Sequence, residues 1–170
     1  MSSINISGAL KNPGQAYPVN LAFAFDPVEI MGDEVRFSDV RFEGEYLSAK
    51  DEVSLSGTVS AKAHSRCAKC LADVTADISA DLDAQFARGG DGEDRFPLEG
   101  YEIDPAPAVR EAVLLELPIR FLCKEDCKGI CPVCGKNRNT DLCTCHGGPA
   151  APNPFSALSS LLYDQNNEEV

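Results

Sequence analysis

Apolar and polar positions alternate most strictly in two adjoining stretches of the chain. Val53, Leu55, Gly57, Val59, Ala61 and Ala63 are interleaved with Ser54, Ser56, Thr58, Ser60, Lys62 and His64. Val74, Ala76, Ile78, Ala80, Leu82, Ala84 and Phe86 then alternate with Thr75, Asp77, Ser79, Asp81, Asp83 and Gln85. A period of two sustained this long predicts strands with one buried and one wet face. Cys67 and Cys70 lie in the short join between them, which predicts a long antiparallel hairpin with a CxxC at its tip. Each arm exceeds the common strand length, so the sheet is expected to bend or close toward a barrel.

Weaker signals flank this hairpin. Leu21, Phe23 and Phe25 alternate until Asp26 and Pro27 stop them, while Val35 and Phe37 fall out of phase by one residue with Val40 and Phe42. A bulge near Ser38 and Asp39 would absorb that slip. Residues 89–100 are polar, acidic and glycine-rich, and read as a flexible loop. Asp104 followed by Pro105 is a helix start, with Val109, Ala112, Val113 and Leu117 on one face and Pro118 as the stop. Asn153 and Pro154 repeat the start signal before Phe155, Leu158, Leu161 and Leu162, which predicts a second helix packed back on the sheet or offered to a partner.

The expected fold is therefore α+β: a mainly antiparallel, bent or barrel-like β-sheet with two short helices and a C-terminal cysteine-rich zinc knuckle. Residues 1–118 form the antiparallel β-sheet core with a helix at 105–117, residues 119–148 the cysteine-rich zinc-binding segment, and residues 149–170 a C-terminal helix and tail.

Composition narrows the function. Hydrophobic residues make up 44% of the chain, enough for a core, yet no apolar run is long enough to span a bilayer. The opening MSSINISGALKNPG has no basic segment followed by an apolar one, so a cytoplasmic location is expected. In that compartment eight cysteines point to metal rather than to disulfides. A net charge of −12 argues against a general nucleic-acid binder, but the charge is uneven. Residues 73–104 hold ten Asp or Glu against Arg88 and Arg95, whereas residues 58–70 hold Lys62, His64, Arg66 and Lys69 with no acid. Residues 120–146 carry five Lys or Arg against Glu125, Asp126 and Asp141. The cysteine-bearing parts are the locally basic parts.

The remaining six cysteines follow the pattern C-x3-C-x3-C-x2-C-x8-C-x-C from Cys123 to Cys145. Zinc takes four thiolate or imidazole ligands in a tetrahedron, and a pair on a tight turn supplies two at once. Cys131 and Cys134, followed by Gly135, make such a turn, and Cys143 and Cys145 are the nearest source of two more ligands. Cys67, Cys70, Cys123 and Cys127 are left over and would form a second site tying the hairpin tip to the segment after the helix. The rival is a single zinc drawn from another four of the six C-terminal cysteines, with Cys67 and Cys70 free. His64 and His146 could replace a missing thiolate. A thioredoxin-like role for the CxxC lacks the helix N-terminus that lowers a thiol pKa, although Arg66 and Lys69 stand beside it. No Walker loop, G-x-S-x-G or H-E-x-x-H is present, so neither an enzyme nor a small-molecule substrate is expected.

The segments SRCAKCL, VREAVLLELPIRFLC, CKEDCKGICPVCGKN with CTC after it, and NPFSALSSLL together resemble the bacterial YceD family, the large-ribosomal-RNA-subunit accumulation proteins. The resemblance implies a cytoplasmic, non-enzymatic factor supporting synthesis, processing or stability of 23S ribosomal RNA. The family's CxxC maps onto Cys67 and Cys70, and its C-terminal cluster onto Cys123, Cys127, Cys131, Cys134, Cys143 and Cys145. Some similar proteins keep the first pair and lack the cluster, so metal there would not be the whole function. The partner would be ribosomal RNA, contacted through Lys62, Arg66, Lys69, Lys136 and Arg138, or a basic ribosomal or processing protein held by the acidic surface; the net charge favours the protein. A zinc-ribbon-like adaptor unconnected with ribosomes and a CxxC thiol redox protein are the alternative classes.

Overall fold

Fifteen uninterrupted residue pairs, from Glu52 opposite Ala87 to Arg66 opposite Asp73, join two antiparallel strands around the Cys67–Cys70 turn. The computed structural model in which they lie describes residues 3–30, 32–50, 52–89 and 95–145. In chain order its elements are β1 (Ile4–Asn5), α1 (Ser7–Lys11), β2 (Ala16–Phe23), β3 (Val28–Ile30), β4 (Asp33–Ala49), β5 (Glu52–Arg66), β6 (Asp73–Ala87), β7 (Phe96–Glu99), β8 (Glu102–Ile103) and α2 (Ala106–Leu115). The strands form one mostly antiparallel sheet in the order β1-β8-β7-β6-β5-β4-β2, with β3 paired to the first part of β4. The described residues are mostly β, a curled half-barrel with two helices.

The alternation along β5 and β6 does what its period requires. Val53, Leu55, Val59, Ala61 and Ala63 on β5 and Ile78, Ala80, Leu82, Ala84 and Phe86 on β6 are buried. The intervening Thr58, Ser60 and Lys62, and Asp77, Ser79, Asp81 and Asp83, are exposed. Helix α2 covers the buried face against β5 and β6 through Ala108, Val109, Ala112 and Val113. Its start is held by Asp104, whose Oδ1 accepts a 3.0 Å hydrogen bond from the Ala106 N–H. Pro107 sits in the first turn, where an N–H has no helical partner. None of the helices among the described residues is long and apolar enough to cross a membrane.

The phase slip in β4 is a real irregularity. Its pairing with β5 shifts between Ser38 and Arg41, and Asp39 takes a positive φ of 54°. The extra residue lets Val35 on one side and Val40 and Phe42 on the other all face the core. Further along, Gly44 stands directly opposite Gly57. A Cβ built on Gly57 would lie 2.6 Å from Gly44 Cα and 2.9 Å from the Phe42 ring. The two missing side chains allow the strands to close up and the fully buried Phe42 ring to lie over them.

Two regions depart from expectation. Residues 89–100 are not all loop: Phe96–Glu99 pairs in parallel with the end of β6 and antiparallel with β8. Phe96 packs on Phe86 at a centroid distance of 5.5 Å, and Leu98 is buried. Burial of two side chains outweighs the weak propensity of a four-residue stretch containing Pro97. At the N-terminus β1 and α1, which no periodicity announces, place Ile4, Ile6 and Ala9 in the core. The helix expected after Asn153 lies outside the described residues.

The glycine pair generates a test. Gly57→Ala is expected to destabilise the fold by about 1–3 kcal/mol, because the added methyl meets backbone on the facing strand and cannot be relieved by a rotamer change. Urea unfolding followed by circular dichroism reads the change, and an unaltered midpoint would show that the strands can move apart freely.

Candidate metal centres

The strand pair β5–β6 ends in a turn that presents sulfur. Cys67 N–H donates to Ala72 O at 2.8 Å and Leu71 N–H returns to Cys67 O at 2.9 Å, folding residues 67–72 tightly. The same loop recurs around the second CxxC, where Gly135 N–H donates to Cys131 O, also at 2.9 Å. In both, the residue after the second cysteine has positive φ: 60° at Leu71 and 71° at Gly135. Glycine reaches this region freely, so Gly135 was legible as a turn residue. Leu71 was not.

The structure brings the eight sulfurs into two groups of four. Cys67, Cys70, Cys123 and Cys127 form one, and Cys131, Cys134, Cys143 and Cys145 the other, with all ligand atoms in each group within 4.8 Å of one another. In the first, Cys67 Sγ lies 3.8 Å from Cys127 Sγ and Cys70 Sγ lies 3.5 Å from Cys123 Sγ. In the second, Cys134 Sγ and Cys143 Sγ are 3.6 Å apart. These separations are far too long for disulfides. A tetrahedral ion with metal–sulfur bonds of about 2.3 Å requires sulfur–sulfur edges of about 3.8 Å, so each group matches the donor set and spacing of one ion.

Electrostatics inside the groups agrees with the donor spacing. Burial pushes the Cys67 thiol up, but N–H groups of Cys123, Lys69 and Cys70 donate to its sulfur and bring it to about 6. Cys131, which receives the N–H groups of Cys134 and Val133, also falls to about 6. The last protons are hard to remove: contact with Cys127, then with Cys70, holds Cys123 at about 12, and contact with Cys134 and Cys143 does the same for Cys145. Each group gives up a first proton readily and keeps its last until a cation offsets the accumulated charge.

The two groups are not independent. Gly129, at φ 71°, places its N–H on the Cys127 sulfur and its Cα against Lys69, while Ile130 N–H donates to Lys69 O at 3.0 Å. Asn139 sits between them: its Nδ2 donates to Cys127 Sγ at 3.3 Å and its Oδ1 accepts from Lys128 N–H at 2.9 Å. Neither Gly129 nor Asn139 carried a sequence signal, because each acts through a contact made only after folding. The bridging group, with Cys67, Cys70 and Cys127 buried, is shielded; in the C-terminal group only Cys131 is buried.

The other candidates divide. Lys69, Lys136 and Arg138 lie on the loops that carry the cysteines. Lys62 projects from the wet face of β5 and pairs with Asp39 at 3.6 Å. Arg66 ends β5 opposite Asp73, beside a cavity of about 440 Å³ lined also by Glu34, Arg36 and His64. His64 is not among the clustered sulfurs; its Nε2 is 2.7 Å from Ser38 Oγ and its Nδ1 3.0 Å from Thr75 Oγ1. His146 lies outside the described residues.

Comparison with known proteins bears on the same region. An uncharacterised protein of Mycobacterium tuberculosis is 34% identical over 104 residues, covering 57% of this chain and 48% of the relative. A protein of Arabidopsis thaliana named large ribosomal RNA subunit accumulation protein YCED homolog 1, chloroplastic, is 44% identical over 81 residues, covering 46% of this chain and 25% of the relative. The chain thus spans about half or less of the length of these curated relatives. No solved structure matches it significantly. The model of the family described as large ribosomal RNA subunit accumulation protein YceD matches residues 55–162, a span containing most of the hairpin and all eight cysteines, and the chain belongs to that family.

Proposed function

We propose that this protein is a non-enzymatic, cytoplasmic factor that supports the accumulation of 23S ribosomal RNA and assembly of the large ribosomal subunit. The observation that carries the reading is the family match over residues 55–162. The Arabidopsis relative is named for accumulation of the large-subunit RNA, which supports the same process here. The role is one of binding: four thiolates around an ion leave no open coordination position for a reacting water.

Each four-cysteine group would hold one zinc ion. An all-thiolate tetrahedral set suits zinc, and sulfurs within 4.8 Å of one another leave room for a single ion rather than an iron–sulfur cluster. The Cys67–Cys70 pair faces Cys127 and Cys123, which supports structural use of these thiols over thiol exchange. A zinc-ribbon-like adaptor unconnected with ribosomes has no specific observation in its favour.

Elemental analysis of purified protein is expected to find about two zinc ions per chain, falling to about one in Cys67→Ser/Cys70→Ser and likewise in Cys131→Ser/Cys134→Ser. Asn139→Ala should weaken zinc at the bridging group about tenfold to a hundredfold, since it removes the donor to Cys127; chelator competition in the Cys131→Ser/Cys134→Ser background isolates that site. The cellular test is depletion: the 23S to 16S ratio should fall and be restored by wild type but not by Cys67→Ser/Cys70→Ser. An unchanged ratio on depletion would remove the ribosomal reading.

A further inference from the structure

The geometry points to a ridge formed by Lys69, Lys128, Lys136 and Arg138, built across both cysteine groups, as the surface that binds the phosphodiester backbone of folded RNA. The inference rests on the ribosomal reading above and names the partner that this surface meets.

Lys69 is far from Lys128, Lys136 and Arg138 in the sequence, yet backbone contacts join the loops that carry them. Ile130 N–H donates to Lys69 O at 3.0 Å, setting residues 128–130 beside the first CxxC turn. Arg138 N–H donates to Gly129 O at 2.9 Å, and Lys128 N–H to Asn139 Oδ1 at 2.9 Å, which sets Arg138 beside Lys128. Lys136 O accepts from Cys131 N–H at 2.8 Å. Hydrogen-bonded backbones stand about 5 Å apart, so the loops that carry the four side chains adjoin one another.

All four are exposed, and among the described residues none makes an ion pair. This distinguishes them from Lys62, paired with Asp39, and Lys124, 3.9 Å from Asp126. On a chain of net charge −12, the four cations on adjoining loops make a local gathering of positive charge. The acids of β6 point from its wet face and recede from the tip: Asp81 lies eight residues beyond Asp73, about 27 Å along the strand. Screening at physiological salt acts over about 8 Å, so Asp81 and Asp83 weaken the ridge little, and the acids near it are Asp73 at the tip and Glu125, Asp126 and Asp141 on the cysteine loops.

Folded RNA fits better than unpaired strands. Proteins that hold single strands stack bases on aromatic side chains. Within residues 66–72 and 119–145 the one aromatic is Phe121, and it is buried. The ridge offers charge and backbone donors without a stacking platform, which suits the phosphates of a helix. A rival role for the cations is neutralisation of the two thiolate centres. Yet the sulfurs already receive backbone N–H groups and the Asn139 amide. The test therefore reads zinc alongside RNA.

Zinc-loaded full-length protein is titrated with a fluorescent hairpin of large-subunit ribosomal RNA, by anisotropy, over a salt series. Four phosphate contacts predict an affinity that drops about a hundredfold between roughly 50 and 200 mM salt. Lys69→Glu/Lys128→Glu/Lys136→Glu/Arg138→Glu should keep its zinc and circular dichroism, bind about tenfold or more weakly, and show a flatter salt dependence. Lys11→Glu/Arg110→Glu, away from the cysteine loops, should match wild type. Loss of zinc in the fourfold variant would assign these cations to the metal centres and overturn the inference. So would absent or salt-insensitive RNA binding, unchanged binding by the fourfold variant, or tighter capture of polyglutamate than of the hairpin. If the ridge fails while depletion still lowers 23S RNA, the ribosomal reading stands and only this surface falls.

Discussion

The sulfur contacts that join Cys67 to Cys127 and Cys70 to Cys123 hold the hairpin tip to the segment after α2. They close loops of 60 and 53 residues. Closure on that scale opposes folding by roughly 3–4 kcal/mol before any contact compensates. Apolar burial at the tip is slight: the local cluster comprises Cys67, Cys70 and Cys127 with Ala72, Val74 and Leu122 against them. A structural zinc supplies on the order of 10 kcal/mol or more in small zinc-dependent folds. The sheet beneath is ordered by its own core, whereas the tip, with so little apolar burial, would depend on what its thiolates bind.

That division sets a hierarchy. Once the bridging group closes, Gly129 can lie on the Lys69 backbone, and Asn139 can reach Cys127 from the far side. The C-terminal group is then built on a platform rather than on a free chain. Its greater exposure follows from this position at the outside of the assembly. The glycine at 129 matters twice, since its φ is positive and a Cβ there would come within 3.0 Å of Lys69 O.

Legibility in the sequence followed the range of each interaction. The β5–β6 hairpin, the slip near Ser38 and the start of α2 are local patterns in which pleat, bulge and cap are written within a few residues. The division of the eight cysteines into two groups was partly readable for the same reason, since Cys131, Cys134, Cys143 and Cys145 are neighbours in the chain. The grouping of Cys123 and Cys127 with Cys67 and Cys70 had only arithmetic behind it, because no local pattern records a contact across 60 residues. Ile4 and Ile6, the Phe96–Phe86 contact and the Asn139 amide are of the same kind: short segments whose conformation is decided by what they touch.

Charge shows the same limit. A total of −12 favours a basic protein partner when it is read as a property of the whole chain. The fold divides that total, with carboxylates at alternate positions along the wet face of β6 and cations on the turns beyond its end. A strand can carry a row of like charges only on a face open to water, where solvent weakens their repulsion. The cysteine loops work under a different constraint, since four thiolates around a divalent ion would leave each centre with excess negative charge. Basic residues beside such a centre offset that charge, and Lys69, Lys128, Lys136 and Arg138 stand on these loops together with Glu125, Asp126 and Asp141. Sheet topology meanwhile carries the outer carboxylates of β6, Asp81 and Asp83, several screening lengths from the hairpin tip, although Asp73 stands at it. A local excess of cations can then persist on an acidic protein.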